Sequence, residues 1–144
     1  MTDGTRIRIL SVDDHPLLRE GLATIINSQQ DMEIVGQAAN AHEALQEFRR
    51  HKPDITLMDL RMPGKSGIEA MIDIRSEFPD ARVIMLTTFD GDQDVQRSLE
   101  AGARAYLLKS MPPRELVEVI RQVHLGKAPN PREIAAQLRS NPQM

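Results

Sequence analysis

The sequence predicts an α/β protein: a doubly wound sheet of five parallel strands in (βα)5 order, with a short extra helix near the C-terminal end. Two observations carry that prediction. Short apolar runs, Ile9-Leu10-Ser11-Val12, Ile55-Thr56-Leu57-Met58, Val83-Ile84-Met85-Leu86 and Ala105-Tyr106-Leu107-Leu108, are separated by stretches of helical periodicity. Near-continuous apolar runs of this length read as strands covered on both faces, and their alternation with helices implies parallel pairing through right-handed crossovers. The second observation is that each run ends on polar groups: Asp13-Asp14, Asp59, Thr87-Thr88 and Lys109 in turn. An open α/β sheet binds its ligands at the carboxyl ends of the strands, so these groups gather in one crevice.

Each element has its own justification. The first strand covers about 7–12, and its helix opens at Pro16, a residue favoured at the first helical position, with Leu18, Leu22, Ile25 and Ile26 on one face. Residues 32–38 form the second strand. Asn40-Ala41-His42-Glu43 is a capping box for a helix that buries Ala44, Leu45 and Phe48, and Pro53 stops it. The central strand runs over 54–59. Ser66-Gly67-Ile68-Glu69 is a second capping box, with Ile68, Met71, Ile72 and Arg75 following at helical spacing and Pro79 ending that helix. A strand at 82–87 and a weakly apolar helix at 92–101 come next, closed by Gly102 as a left-handed cap. Strand 105–109 leads through Met111-Pro112-Pro113 into a helix at 114–125, closed by Gly126. The division is a domain over 6–126 and a linker-like tail over 127–144, where Asn130 and Glu133 can cap a short helix carrying Ile134, Ala135 and Leu138.

Composition narrows the function classes. The 144 residues suit one domain, with 40% apolar and 27% charged residues. No apolar run approaches the ~18–20 residues of a membrane span, and Met1-Thr2-Asp3-Gly4-Thr5 lacks a signal-peptide pattern. Zero cysteines exclude disulfides and thiolate metal sites and suit a cytoplasmic location. A formal net charge of −3 and the absence of Trp argue against direct nucleic-acid binding by this segment, which needs clustered cations or stacking aromatics.

The strand ends carry the chemistry. Asp59, followed by Leu60-Arg61-Met62-Pro63-Gly64, offers a carboxylate that can attack phosphorus. A lone Asp there would be a turn former; the other loaded strand ends favour the reactive role. Asp13 and Asp14 supply the hard oxygens Mg²⁺ prefers, and one of them also suits capping of the helix at Pro16. His15 reads as a solvated neighbour of that helix start, without a role. Lys109 can place its ammonium on a phosphoryl oxygen, and Thr87 can donate a hydroxyl. Tyr106, within the last strand, is of a type that packs its ring and wets its hydroxyl. Three carboxylates are costly to hold together without a cation.

Over about 6–126 these residues closely resemble the receiver domain of two-component response regulators. Val12-Asp13-Asp14-His15-Pro16, Asp59-Leu60-Arg61-Met62-Pro63-Gly64, Leu86-Thr87-Thr88-Phe89 and Leu107-Leu108-Lys109-Ser110 are similar to the NarL/FixJ subgroup. The resemblance implies a flavodoxin-like fold with Asp59 as phosphoacceptor. It implies a Mg²⁺ shell from Asp13, Asp14, Asp59 and the Arg61 backbone carbonyl, Thr87 and Lys109 as phosphoryl-stabilising groups, and Thr87 with Tyr106 as the switch. The implied partners are a sensor histidine kinase and, after phosphorylation, a second copy of the chain. The subgroup normally continues into a helix-turn-helix domain that binds DNA, and the expected output is transcription regulation through such a domain, which this segment lacks. The Tyr106 ring is expected to turn from outside to inside on phosphorylation.

Two departures are visible. Receivers often carry Pro after the lysine with a cis bond, whereas Ser110 follows Lys109, where cis would cost about 3–4 kcal/mol, so trans is expected. Thr88 is larger than the Ala or Gly usual there and narrows access to the phosphoryl pocket. A stand-alone receiver acting by protein–protein contact is the alternative, as is a receiver that works without phosphorylation. A haloacid-dehalogenase-type phosphatase is more remote, because it needs an Asp where Arg61 stands. A flavodoxin-like cofactor module would need a phosphate loop where Asp13-Asp14 stand. The expected protein is a signalling switch that catalyses only its own aspartyl phosphorylation and dephosphorylation.

Overall fold

The computed structural model describes residues 6–88 and 92–127. Strands and helices alternate: β1 (Ile7–Val12), α1 (Pro16–Asn27), β2 (Met32–Ala38), α2 (Ala41–His51), β3 (Ile55–Asp59), α3 (Gly67–Glu77), β4 (Val83–Thr87), α4 (Asp92–Glu100), β5 (Ala105–Leu108) and α5 (Pro113–His124). The strands form one parallel sheet in the order β2-β1-β3-β4-β5. The chain leaves β1 for β2 on one side, then crosses back to place β3 on the other. That reversal opens a crevice beyond the carboxyl ends of β1 and β3, where Asp13, Asp14 and Asp59 stand.

Strand alternation divides the core into two layers. Ile9, Leu57, Leu86 and Leu107 pack with Leu22 and Ile26 of α1 and with Val119 and Ile120 of α5. On the opposite face Leu10, Met58, Met85 and Tyr106 pack with Phe48 of α2 and Met71 and Ile74 of α3. The apolar strands are therefore covered on both sides, which is why they carry so few polar residues.

The helix signals hold with local revisions. Ser66 and Glu69 form the full reciprocal capping box of α3. At α2 only half of one forms: Asn40 accepts from the Glu43 amide, but Glu43 reaches back one residue further, to the Ala39 amide, at 2.9 Å. Neither Asp13 nor Asp14 caps α1; the N-cap position is His15, without a side-chain cap bond. Ile72 lies on the outer face of α3 and is 49% exposed, while Ala70 and Ile74 join Ile68 and Met71 in the buried set. Gly102 and Gly126 both adopt positive φ, 109° and 88°, beyond the ends of α4 and α5. The Lys109–Ser110 peptide is trans, like the other described bonds. The expected short helix at 134–138 and the rest of the tail from residue 128 lie outside the described residues, as does Phe89. Among the described residues no helix is long and apolar enough to cross a membrane.

Candidate functional site

Four strand ends converge on one pocket of charge. Beyond β1 the Asp13 amide donates to the Ala38 carbonyl at 3.0 Å, extending the β1–β2 ladder by one residue. The Asp13 carbonyl accepts from the Arg19 guanidinium of α1 at 2.5 Å, and its Oδ1 accepts from the His15 amide at 2.8 Å. This Asx turn replaces the expected helix cap and holds the carboxylate, 1% exposed, at the sheet edge. Asp14 is partly exposed beside it.

At β3 the backbone continues past Asp59, with the Leu60 amide donating to Leu86 and the Gly67 amide to Leu60, each at 2.8 Å. The first turn of α3 thereby folds back on the strand end. A Cβ at Gly67 would collide with the Asp59 carbonyl and the Leu60 Cα, so the close approach requires glycine. Asp59, 2% exposed, accepts on Oδ1 from the Arg61 amide at 3.3 Å. The Arg61 side chain points away, onto Asp94 of α4 at 3.0 Å.

Lys109 joins the two carboxylates. Its Nζ lies 2.9 Å from Asp13 Oδ2 and 3.1 Å from Asp59 Oδ1, and its backbone amide donates to the Thr87 carbonyl at 2.7 Å. Thr87 is 1% exposed and Thr88 is exposed. The alternation of β4 puts Thr87 on the side of Val83 and Met85, and Met85 pairs with Tyr106. Thr87 and Tyr106 therefore share one face of neighbouring strands. The Tyr106 ring, expected outside, is packed inside with only 8% exposed, because β5 turns it toward the α2–α3 layer.

The electrostatics follow from this burial. Desolvation raises the Asp59 pKa above the ordinary carboxylate value, and the nearby Asp13 charge adds to the rise; the bond to Lys109 opposes it without cancelling it. Burial works against the Lys109 charge as well, but its hydrogen bonds to Asp13 and Asp59 outweigh that and hold its pKa above the usual value. Donor atoms of Asp13, Asp14, His15 and Asp59 all lie within 4.8 Å of one another. Asp59 Oδ2 is buried with no hydrogen-bond partner. A hard-oxygen cluster with an unpartnered buried carboxylate oxygen fits a small divalent cation, and the set is compatible with Mg²⁺.

The model of the response regulator receiver domain matches residues 9–121 of the chain. The chain belongs to that family. It is similar to the transcriptional regulatory protein YxjL of Bacillus subtilis strain 168, with 44% identity over 123 residues, 85% of this chain and 56% of the relative. The response regulator protein VraR of Staphylococcus aureus is 35% identical over 134 residues, 93% of this chain and 64% of that protein. The chain thus spans less than two thirds of the length of either regulator. The crystal structure of a LuxR-family two-component response regulator from Aurantimonas sp. SI85-9A1 superposes with a TM-score of 0.85 at 37% identity, covering 96% of this receiver and 99% of that chain. This receiver therefore shares both the fold and the subgroup that its motifs resemble.

The structure brings Asp13, Asp14, Asp59 and Lys109 together and sets Thr87 one backbone bond from Lys109. Sequence reasoning missed three contributors. Arg19 pins the Asp13 carbonyl, one helical turn after the motif. Gly67 was hidden inside a capping box that already explained its neighbours. His15 was assigned no role, although it touches both members of the acidic pair.

Proposed function

We propose that this receiver accepts a phosphoryl group on Asp59 from a phosphohistidine of a sensor histidine kinase. Asp59 Oδ2 attacks phosphorus in line, an O–P bond forms, and the N–P bond breaks with its electron pair returning to the donor imidazole. Asp13, Asp14, Asp59 and the Arg61 carbonyl would hold Mg²⁺. The bound ion would supply the positive charge that lets an anionic donor approach three carboxylates. Lys109 follows the developing charge from Asp59 Oδ1 onto a phosphoryl oxygen, and the Thr87 hydroxyl donates to another.

The observation that carries this reading is the buried, unpartnered Oδ2 of Asp59, two bonds from an oxygen held by an ammonium. The general acid two residues on that a haloacid-dehalogenase-type phosphatase would require is replaced by Arg61, engaged with Asp94. The chemistry is therefore turned on the receiver itself.

The output arises from the shared face of Thr87 and Tyr106. Phosphorylation adds roughly −1.5 to −2 charges and draws Thr87 toward the phosphoryl group, favouring the inward Tyr106 ring over an outward alternative. The repacked face of α4, β5 and α5 promotes a homodimer in the cytoplasm, and transcription control passes through a DNA-binding domain such as the longer regulators would carry. Treatment with acetyl phosphate and Mg²⁺ tests the reaction. One hydroxylamine-labile phosphoryl group per chain is expected by intact-mass spectrometry, and none after chelation; a hydroxylamine-stable adduct would contradict an acyl phosphate.

A further inference from the structure

His15 has an arrangement that its place at a helix start does not require. Its Nδ1 lies 2.8 Å from Asp13 Oδ1 and 3.2 Å from Asp14 Oδ1. The contact with Asp13 Oδ1 is of hydrogen-bond length, and a carboxylate oxygen supplies lone pairs, so the geometry favours the tautomer with the hydrogen on Nδ1. The side chain is 63% exposed, so it contributes little to the core. Its polar contacts are with the two carboxylates.

The consequence for Asp13 is directional. The His15 amide and ring both occupy Oδ1, which turns Oδ2 inward to Lys109 and toward the side where Asp59 stands. Arg19 fixes the same residue from its carbonyl, so Asp13 is held at its amide, its carbonyl and both carboxylate oxygens. Asp14 has a weaker hold: its side chain is 28% exposed, and its Oδ1, 3.2 Å from the ring nitrogen, makes no hydrogen bond.

We propose that His15 is a positioning residue for the cation site, holding the Asp13 carboxylate in the orientation that receives a divalent ion. The inference rests on the reading of this cluster as a Mg²⁺ site and adds a residue to it. The ring acts through Asp13: it occupies Oδ1, so that Oδ2 faces inward beside Lys109. Outer hydrogen bonds of this kind change metal affinity by about ten- to a hundredfold.

The test uses the geometry of the nitrogen. In Asn the amide nitrogen is attached to Cγ, matching Nδ1; in Gln it sits one atom further out, matching Nε2. Mg²⁺ titrations followed by amide NMR shifts of Asp59 and Lys109 should show His15→Ala and His15→Gln binding about tenfold more weakly than wild type, with His15→Asn close to wild type. Ring ¹⁵N spectra of the wild-type protein should show Nδ1 protonated. Wild-type binding with no loss in His15→Ala, equal loss in all three variants, or a ring carrying its hydrogen only on Nε2 would overturn the clamp. No Mg²⁺ binding by the wild type would instead overturn the cation site itself.

Discussion

Lys109 Nζ lies 3.1 Å from Asp59 Oδ1 and leaves the other oxygen of that carboxylate buried without a partner. The lysine thus stabilises the resting carboxylate while the oxygen proposed as the nucleophile stays bare. The same ammonium bonds Asp13 at 2.9 Å, so one cation offsets two buried anions. It fills part of the need for positive charge that the acidic strand ends create, and under the proposed reaction its hold on Asp59 would loosen as the phosphoryl group arrives.

Lys109→Ala leaves Asp13 and Asp59 as uncompensated buried carboxylates. The expected loss is about 3 kcal/mol of folding stability in Mg²⁺-free buffer, measured by urea denaturation. Millimolar Mg²⁺ should recover part of the loss, since a bound ion supplies the missing charge. A variant as stable as wild type without Mg²⁺ would show that the ion pairs do not hold the site together.

Asp59→Asn should stabilise the metal-free protein by about 1 kcal/mol, because it removes a carboxylate whose ionisation burial disfavours. The pH dependence has a definite sign. With the folded pKa above the unfolded one, the native state binds more protons in that interval, so stability falls as pH rises from the ordinary Asp value through the raised one. The difference between the two melting curves should therefore be small below that window and widen across it. A difference that narrows with rising pH would contradict the raised pKa.

Gly67→Ala should destabilise by about 2 kcal/mol, since the new methyl meets backbone at Asp59 and Leu60 that has no rotamer to yield. It should also slow acetyl phosphate labelling by displacing the turn after Asp59. Gly21→Ala is the control: it lies exposed in α1 with nothing near its Cβ position, and should gain up to about 1 kcal/mol. Equal effects of the two changes, by denaturation, would rule out the close approach as the reason for glycine.

Thr87→Ala should still take up beryllofluoride with Mg²⁺ but respond weakly. The amide shifts of β5 around Tyr106 should be reduced relative to wild type, and light scattering should show less dimer. Wild-type shifts in the variant would remove Thr87 from the switch.

The fold was legible because the inner strands are near-continuous apolar runs and several helix starts carry a local signal at Pro16, Asn40 and Ser66; β1 and β2 match their expected spans, and β3 and β4 start one residue later than expected. Asp13, Asp14, Asp59, Thr87 and Lys109 were legible for the same reason, since a strand end fixes where a side chain emerges. The hidden features depend on contacts between segments distant in sequence or on a side chain's direction. Tyr106 reads identically whether its ring packs in or out. Ile72 has the spacing of a core residue, yet the narrow stripe through Ile68, Met71 and Ile74 leaves it outside. His15 and Arg19 hold Asp13 through geometry created only when α1 folds against the end of β1.

The central claim is that Asp59 alone receives the phosphoryl group. The direct measurement is to label the protein with acetyl phosphate and Mg²⁺, reduce the acyl phosphate with borohydride, and map the peptides by tandem mass spectrometry. Homoserine at position 59 and nowhere else, absent in Asp59→Asn, is the predicted result. Reduction at Asp13 or Asp14, or undiminished labelling of Asp59→Asn, would contradict it.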